Sequence, residues 1–461
     1  MLSTLVLYHA RHSPDRTALY CAEGRATYGQ LAATIDALSR EFDGLLSPGE
    51  AFGLVVSATM GAVAALLAAE RSGHPALLFS PSLPARELSG LQADSGLRRL
   101  LGPVSAWNQL PGWKATDTST ALDGWTYRGA DKGAVPHVPP DLGRDQILFG
   151  QLTSGSLGPS RFAVRSGSGV RAEIDAIVRR LRLDADDIVW CTSSVSHSYG
   201  LVGGLLAPLT VGAGIALGTA PQSPPRLPIT LLFGLAATYQ ALLRDTATAS
   251  ALATVRCALS AGAPLPDGLF DAFLAERGIP IRQDYGTTES GTISLDSFEE
   301  PSPATVGAPL DHLDWRLAEG GELVVRSPAV ASHYLASGAP APLLDRHGWF
   351  HTGDIAAFDG KNLRLIRRLR PLIPVSGGVI DPDRLERVLE SLPGVAEAAV
   401  LSTGSGPHSV LRAVVAPASL DAAVVLGHLR ERVSPVELPD LIEVRSELPR
   451  SPAGKILRKY L

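Results

Sequence analysis

Gln151-Leu152-Thr153-Ser154-Gly155-Ser156-Leu157-Gly158-Pro159-Ser160-Arg161 is the stretch around which the rest of the chain is organised. Just before it, Ile147-Leu148-Phe149 reads as a short buried strand. A strand that opens into small residues exposes several backbone N–H groups at once. The hydroxyls of Thr153, Ser154 and Ser156, the glycines Gly155 and Gly158, and the cation of Arg161 complete a set able to hold a polyphosphate. No Gly-Lys-Ser/Thr closes the run, so it is not a P-loop. A plain Gly/Ser turn has the same composition, and the segments downstream decide between the two.

A chain of 461 residues exceeds a usual single core and predicts roughly two or three domains. With 19% charged and 45% hydrophobic residues it is globular. A net charge of −5 and a pI near 6.1 imply no broad basic face, so nucleic acid is not an expected partner. Cys21, Cys191 and Cys257 are far apart. They suit a reduced compartment, the cytoplasm, and form neither a disulfide framework nor a metal cluster. The start, Met1-Leu2-Ser3-Thr4-Leu5-Val6-Leu7, lacks the basic residues and cleavage site of a signal peptide. Two uncharged apolar runs, residues 51–69 and 199–220, imitate membrane spans. The first divides into a strand at 52–56 and a helix from near Ser57; the second is broken by Gly200, Gly203, Gly204, Pro208, Gly212 and Gly214. Buried α/β segments read the same way, and no span is expected.

Taken in order, Ala26-Thr27-Tyr28-Gly29-Gln30-Leu31 predicts a helix running to about Phe42, with Leu31, Ile35 and Leu38 on one face. Residues 76–79 read as a strand, and 107–143, rich in Pro, Gly, Asp and Thr, as surface loop. A helix over 169–181 carries the stripe Val170, Ile174, Ile177, Val178 and Leu181. Short apolar strands at 188–192, 229–232, 255–259 and 281–285 alternate with helices at 236–244 and 265–277. That alternation predicts an α/β fold with ligands near the carboxyl ends of the strands. The texture changes near Arg364. A helix beginning at Asp381-Pro382, strands at 398–401 and 410–415, and a helix over 420–433 make a small α+β unit, with the boundary at 368–371.

Further stretches carry chemistry. His197-Ser198-Tyr199-Gly200-Leu201 follows a strand, where the plain reading is a core histidine. Asp284-Tyr285-Gly286-Thr287-Thr288-Glu289 ends another: a Tyr ring can stack on a base, Thr can bond a phosphate oxygen, and Glu can ligate Mg²⁺. The plain alternative is a polar turn. His351-Thr352-Gly353-Asp354 and, further on, Arg368 offer a carboxylate and a guanidinium for ribose hydroxyls. The C-terminal Leu448-Pro449-Arg450-Ser451-Pro452-Ala453-Gly454-Lys455-Ile456-Leu457-Arg458 ends in a lysine that acts as a point charge only if the tail folds into a site.

In this order, and over nearly the whole chain, these stretches resemble the AMP-forming adenylating superfamily of acyl- and aryl-CoA synthetases, stand-alone adenylation domains and luciferases. Pro14-Asp15-Arg16-Thr17-Ala18 and Thr27-Tyr28-Gly29-Gln30-Leu31 resemble that family's opening. The resemblance implies a large N-terminal domain (1–368) of several subdomains, with layered sheets and helices, and a small mobile α+β C-terminal domain (369–461) carrying the catalytic lysine. It implies that Thr153, Ser154, Gly155, Ser156, Gly158 and Arg161 embrace the β- and γ-phosphates of ATP. Gly262, Ala263 and Pro264 would line the adenine site, Asp284 would face the adenine amino group, and Tyr285, followed by Gly286, would stack. Thr288 would hold the α-phosphate, Glu289 the Mg²⁺, and Asp354 with Arg368 the ribose. Lys455 would bridge the substrate carboxylate and the α-phosphate, and His197 would gate the acyl site.

The sequence departs from that pattern in places. Ser160-Arg161 stands where Pro-Lys is usual, and Arg370 stands at the hinge. Pro374 follows Ile373 where many members have a lysine serving thioester formation, which sets CoA-dependent ligation in question. Ser198 stands where α-amino-acid-activating domains carry Asp, so an aromatic or aliphatic acid is expected. The leading expectation is an ATP- and Mg²⁺-dependent ligase that activates a small carboxylic acid as its adenylate. The acceptor would be a thiol, CoA or the phosphopantetheine of an acyl carrier protein. The alternatives are an amide synthetase or an adenylation-only ligase, and a nucleotide-binding pseudoenzyme.

Overall fold

The computed structural model describes residues 1–81, 83, 91, 97–105, 113–130, 147–153, 161–218, 224–298, 302–335, 341–369, 373–375, 378–380, 382–403, 410–433, 437–451 and 456–461. Ser154, Gly155, Ser156, Gly158, Arg370, Asp381 and Lys455 lie outside the described residues.

Thr27 starts the first long helix, Tyr28–Leu45. Its hydroxyl accepts from the Gln30 N–H (3.2 Å), and Gln30 Oε1 accepts from the Thr27 N–H (2.9 Å). The pair satisfies donors that a helix start leaves open. The residues ahead of the cap, Gly24–Thr27, form a strand, so the helix begins later than the pattern from Ala26 suggested. Leu31, Ile35, Leu38 and Phe42 are fully buried, each worth about 1.5–3 kcal/mol on leaving water. The first membrane-like run becomes the strand Phe52–Val55 and the helix Met60–Ser72. Thr59 caps that helix by accepting from the Ala62 N–H at 3.2 Å. Gly61 through Ala69 are buried on every side, as in a helix at the centre of a large protein. The second run becomes a wide-turn helix, Tyr199–Leu206, a short helix, Ala207–Val211, and the strand Gly214–Leu217. Among the described residues no helix is long and apolar enough to cross a membrane.

Two large sheets enclose these helices in one core, which draws Leu19, Val189 and Leu231 from one sheet and Leu54, Leu78 and Phe149 from the other. In the first sheet Thr17–Cys21, Gly214–Leu217, Ile188–Cys191, Leu231–Gly234, Cys257–Ser260 and Ile281–Thr287 lie side by side and parallel. Gly291–Leu295 turns back antiparallel beside the last of them. In the second sheet Ala76–Phe79 and Phe52–Val55 are parallel neighbours. There Ile147–Leu152 and Phe162–Ser166 form an antiparallel pair flanking the hydroxyl-rich stretch.

The loop expected over 107–143 is corrected in part. Trp113–Thr118 and Trp125–Ala130 pair as an antiparallel hairpin at the edge of the second sheet. Trp113, Trp125 and Tyr127 are buried there, and burying these three rings outweighs the turn-like composition around them. The helix expected from residue 265 begins only at Leu269, after Pro264, Pro266 and Gly268. Leu2–His12 is a helix that the sequence reading passed over; Glu70 accepts from the Leu2 and Ser3 N–H groups at 2.6 and 2.7 Å.

A third, antiparallel sheet of Asp314–Leu317, Glu322–Arg326, Phe350–Asp359 and Asn362–Arg368 follows. The last part of the chain has its own core. The sheet of Glu397–Thr403, Val410–Ala416 and Leu441–Val444 packs on Pro382–Glu390 and Ala422–Arg430 through Leu385, Leu389, Val400, Val415 and Leu429.

Candidate active site

Parallel strands end on a common edge, and loops leaving that edge converge. Thr192, Ser193, Ser194, His197, Ser198 and Tyr199 follow Ile188–Cys191, Leu235 leaves Leu231–Gly234, and Ala261 and Gly262 leave Cys257–Ser260. Together with Asp284, Gly286, Thr287, Thr288, Gly291 and Thr292 they line a cavity of about 340 Å³. His197 and Ser198 are in its wall, and so is Ser451 from the C-terminal unit. The wide-turn helix after His197 presses hard on the preceding loop: a Cβ at Gly200 would lie 2.4 Å from the Ser194 carbonyl oxygen, so only glycine fits. Ala263 and Pro264 follow Gly262 in an exposed turn.

Asp284 is 8% exposed and accepts a hydrogen bond from the Thr292 hydroxyl at 3.4 Å. Burial pushes its carboxyl well above the usual carboxylate range, and the nearby Glu173 carboxylate adds to the shift. Glu173 is itself held by Arg165 at 2.5 Å and accepts the Thr292 N–H at 2.8 Å.

Tyr285 is tied to the third sheet. Its hydroxyl donates to Asp354 Oδ2 at 2.7 Å. Asp354 lies opposite Arg368 in strand register, with Oδ1 3.7 Å from Arg368 Nε. Burial, and then the Asp354 charge, push the Tyr285 phenol far up. A second tie joins Glu289 to the hydroxyl-rich stretch. Tyr334 donates to Glu289 Oε1 at 2.7 Å, and the Arg161 guanidinium lies 5.5 Å from the Tyr334 ring centroid. Tyr334 reaches this place because His333–Leu335 pairs with Phe162–Ser166. The Thr153 N–H donates to the Arg161 carbonyl at 2.8 Å, so the two ends of the hydroxyl-rich stretch are pinned together. At the other end of the chain Arg450 and Ile456 form an isolated antiparallel bridge around 451–455.

The structure thus gathers His197, Gly262, Asp284, Gly286 and Thr288 around one cavity, and Tyr285, Asp354 and Arg368 in a cluster joined to it through residue 285. Glu289 and Arg161 meet at Tyr334. The sequence reading missed Thr292, Tyr334, Glu173 and Ser193. Ser193 belongs to the hydroxyl run Thr192-Ser193-Ser194 directly after a strand, a signal that was available. Tyr334 and Glu173 become site neighbours only through strand pairing and helix packing, which no local pattern carries.

The family model for AMP-binding enzymes matches residues 7–335, and the model for their C-terminal domain matches residues 384–455. The chain belongs to the AMP-binding enzyme family. A feruloyl-CoA synthase of Amycolatopsis is 28% identical over 97% of this chain and 96% of its own length. A p-hydroxybenzoic acid–AMP ligase, FadD22, of Mycobacterium tuberculosis is 28% identical over 97% of this chain and 66% of its own. The ATP-bound structure of MatB from Rhodopseudomonas palustris has the same fold, with a TM-score of 0.73 at 20% identity over 100% of this chain and 98% of that one. This AMP-binding enzyme is an ATP-dependent ligase that activates a carboxylic acid as its adenylate and passes the acyl group to a thiol.

Proposed function

We propose that the cavity at the carboxyl ends of the parallel strands is where this ligase activates an aromatic acid and delivers it to CoA. The observation that carries the proposal is the convergence of His197, Gly262, Asp284, Thr288 and Ser451 on that one space. Asp284, nearly cut off from water, suits a neutral hydrogen-bonding partner such as an exocyclic amine. Thr288 holds the α-phosphate, and Tyr285 stacks on the base while its hydroxyl fixes Asp354 against the ribose. Thr153, with Ser154, Gly155, Ser156, Gly158 and Arg161, covers the β- and γ-phosphates. Ser198 after His197, and the two relatives named for feruloyl and p-hydroxybenzoyl groups, favour an aromatic acid over an α-amino acid.

Glu289 fits a Mg²⁺ ligand: it is a carboxylate, and the Tyr334 hydroxyl holds one of its oxygens, Oε1. A Mg²⁺ in such a site is held by one or two carboxylates together with substrate phosphates. The ion would neutralise phosphate charge. The unit from residue 369 onward would rotate between half-reactions, carrying Lys455 in for adenylation and out for thiol entry.

Asp354→Asn keeps the shape but removes the charge that receives the ribose and the Tyr285 hydroxyl. The expected result is a KM for ATP raised by about 10- to 100-fold with a smaller change in kcat. Initial rates at saturating acid check it, and an unchanged KM refutes the ribose role. ATP–pyrophosphate exchange over benzoates, cinnamates, fatty acids and amino acids, followed by addition of CoA, tests the reading as a whole. Exchange confined to amino acids overturns the aromatic assignment, and exchange without CoA consumption moves the acceptor to a carrier protein. Pro374 sits in the strand Ile373–Val375, paired with Val379. Pro374→Lys is expected to raise the thioester step alone if the absent cation limits it; equal rates in both proteins mean the step runs without one.

A further inference from the structure

The wall of the cavity after His197 is unusually rich in hydroxyls, and they are not all spoken for. Thr192 Oγ1 donates to the Phe233 carbonyl at 3.2 Å and pairs with Thr238 Oγ1 at 3.0 Å. Ser194 and Ser196 pair with each other at 2.8 Å. The Tyr199 hydroxyl is capped by the Leu259 carbonyl at 2.8 Å. Ser193 and Ser198 line the same cavity, and both hydroxyls are buried without a hydrogen-bond partner among the described residues. Ser193 is only 8% exposed. A buried hydroxyl without a partner is a standing penalty, retained where a ligand will satisfy it. A serine hydroxyl swings on a single side-chain bond, and it offers both a donor and acceptors.

Charge narrows the class of ligand. Among the described residues lining the cavity there is no Lys or Arg, and Asp284 is the one acidic group. A second carboxylate on the substrate would meet no Lys or Arg among those described residues and would lie beside that acid. An ammonium would find only Asp284, whose carboxyl burial pushes well above the usual carboxylate range. A plain apolar tail would leave both hydroxyls stranded.

Resting on the adenylation reading above, we infer that the acid carries an uncharged hydrogen-bonding substituent, a hydroxyl or an oxo group, received by Ser193 and Ser198, which makes these two serines specificity determinants. No bond to the substituent forms or breaks; the contribution is recognition. A site built to bond a hydroxyl rejects the analogue that lacks it far more strongly than an apolar slot rejects a missing methylene.

The test is ATP–pyrophosphate exchange by the full chain with matched sets. One is benzoate, its three monohydroxy isomers and isophthalate; the other is propanoate, lactate, pyruvate and malonate. The expected result is that one hydroxy or oxo acid exceeds its unsubstituted parent by about 100-fold or more in kcat/KM, with the diacids at the bottom of each set. In Ser193→Ala and Ser198→Ala that ratio falls by about tenfold or more, and in the double variant it approaches one. A variant that folds poorly lowers both members of a pair and leaves the ratio standing, so stability loss does not imitate the effect. Wild-type exchange with benzoate or propanoate equal to the substituted acids overturns the inference while leaving the adenylation reading intact. Ratios that survive both substitutions also overturn it. No exchange with any acid withdraws the adenylation reading, and the inference with it.

Discussion

Lys455→Ala lowers adenylate formation by about 100-fold or more while the reaction of preformed acyl-adenylate with CoA continues at close to its normal rate. In the first step a carboxylate approaches an α-phosphate, and both are anionic. Charge then builds on the five-coordinate phosphorus as pyrophosphate departs. A compact ammonium placed between the two partners lowers both the encounter repulsion and the transition-state charge. In the second step a thiol attacks an acyl carbonyl and AMP leaves, so the two anions no longer have to be brought together. Ser451, close to Lys455 in sequence, forms part of the cavity wall, and Arg450 bridges to Ile456. Pyrophosphate exchange reads the first step, and single-turnover consumption of synthetic acyl-adenylate reads the second. Equal losses in both would refute the division of labour, and an unimpaired exchange rate would remove Lys455 from catalysis altogether.

What could be read from the sequence follows the range over which each signal acts. The helix carrying Leu31, Ile35 and Leu38, the stripe at Val170, Ile174 and Ile177, and the short apolar strands ending at Cys191, Ser260 and Thr287 are local, and they appear within a few residues of where the patterns put them. Site segments that begin at strand ends were legible for the same reason: a parallel sheet delivers its carboxyl ends to one edge whatever the loop sequence. The Trp113–Thr118 and Trp125–Ala130 hairpin was not legible, because its turn-rich composition hides two tryptophans and a tyrosine that only a sheet edge could bury. The wide turn at Tyr199–Leu206 escaped for another reason. Glycines at 200, 203 and 204 looked like helix breakers, whereas they let the helix lie against Ser194, Phe233 and Cys191. Tyr334 and Glu173 are non-local in the strict sense, since each reaches the site through an element paired or packed far away in sequence.

The same non-local logic makes Glu173→Ala the most damaging single change expected for stability. Arg165 and Glu173 are 0% and 1% exposed and meet at 2.5 Å. Arg165 Nε and Nη1 are buried without further partners, so the Glu173 carboxylate is the group that compensates the guanidinium. Removing it leaves a buried cation and also strands the Thr292 N–H, which Glu173 Oε1 accepts at 2.8 Å. Breaking a buried pair from one side typically costs about 3–5 kcal/mol, whereas replacing both members by apolar residues of similar volume is often near neutral. The expected order of denaturant midpoints is therefore wild type near Arg165→Met/Glu173→Leu, with Glu173→Ala well below both. Gly291 supplies an internal check. Its φ is +69°, and a Cβ there would lie 2.3 Å from Glu173 Oε2. Gly291→Ala carries two penalties in the wild type, backbone strain and that clash, but only the strain once Glu173 is alanine. Strict additivity of Gly291→Ala and Glu173→Ala would show that the carboxylate does not shape the Gly291 turn beside the cavity, and a double apolar variant as unstable as Glu173→Ala would show that it does not compensate Arg165.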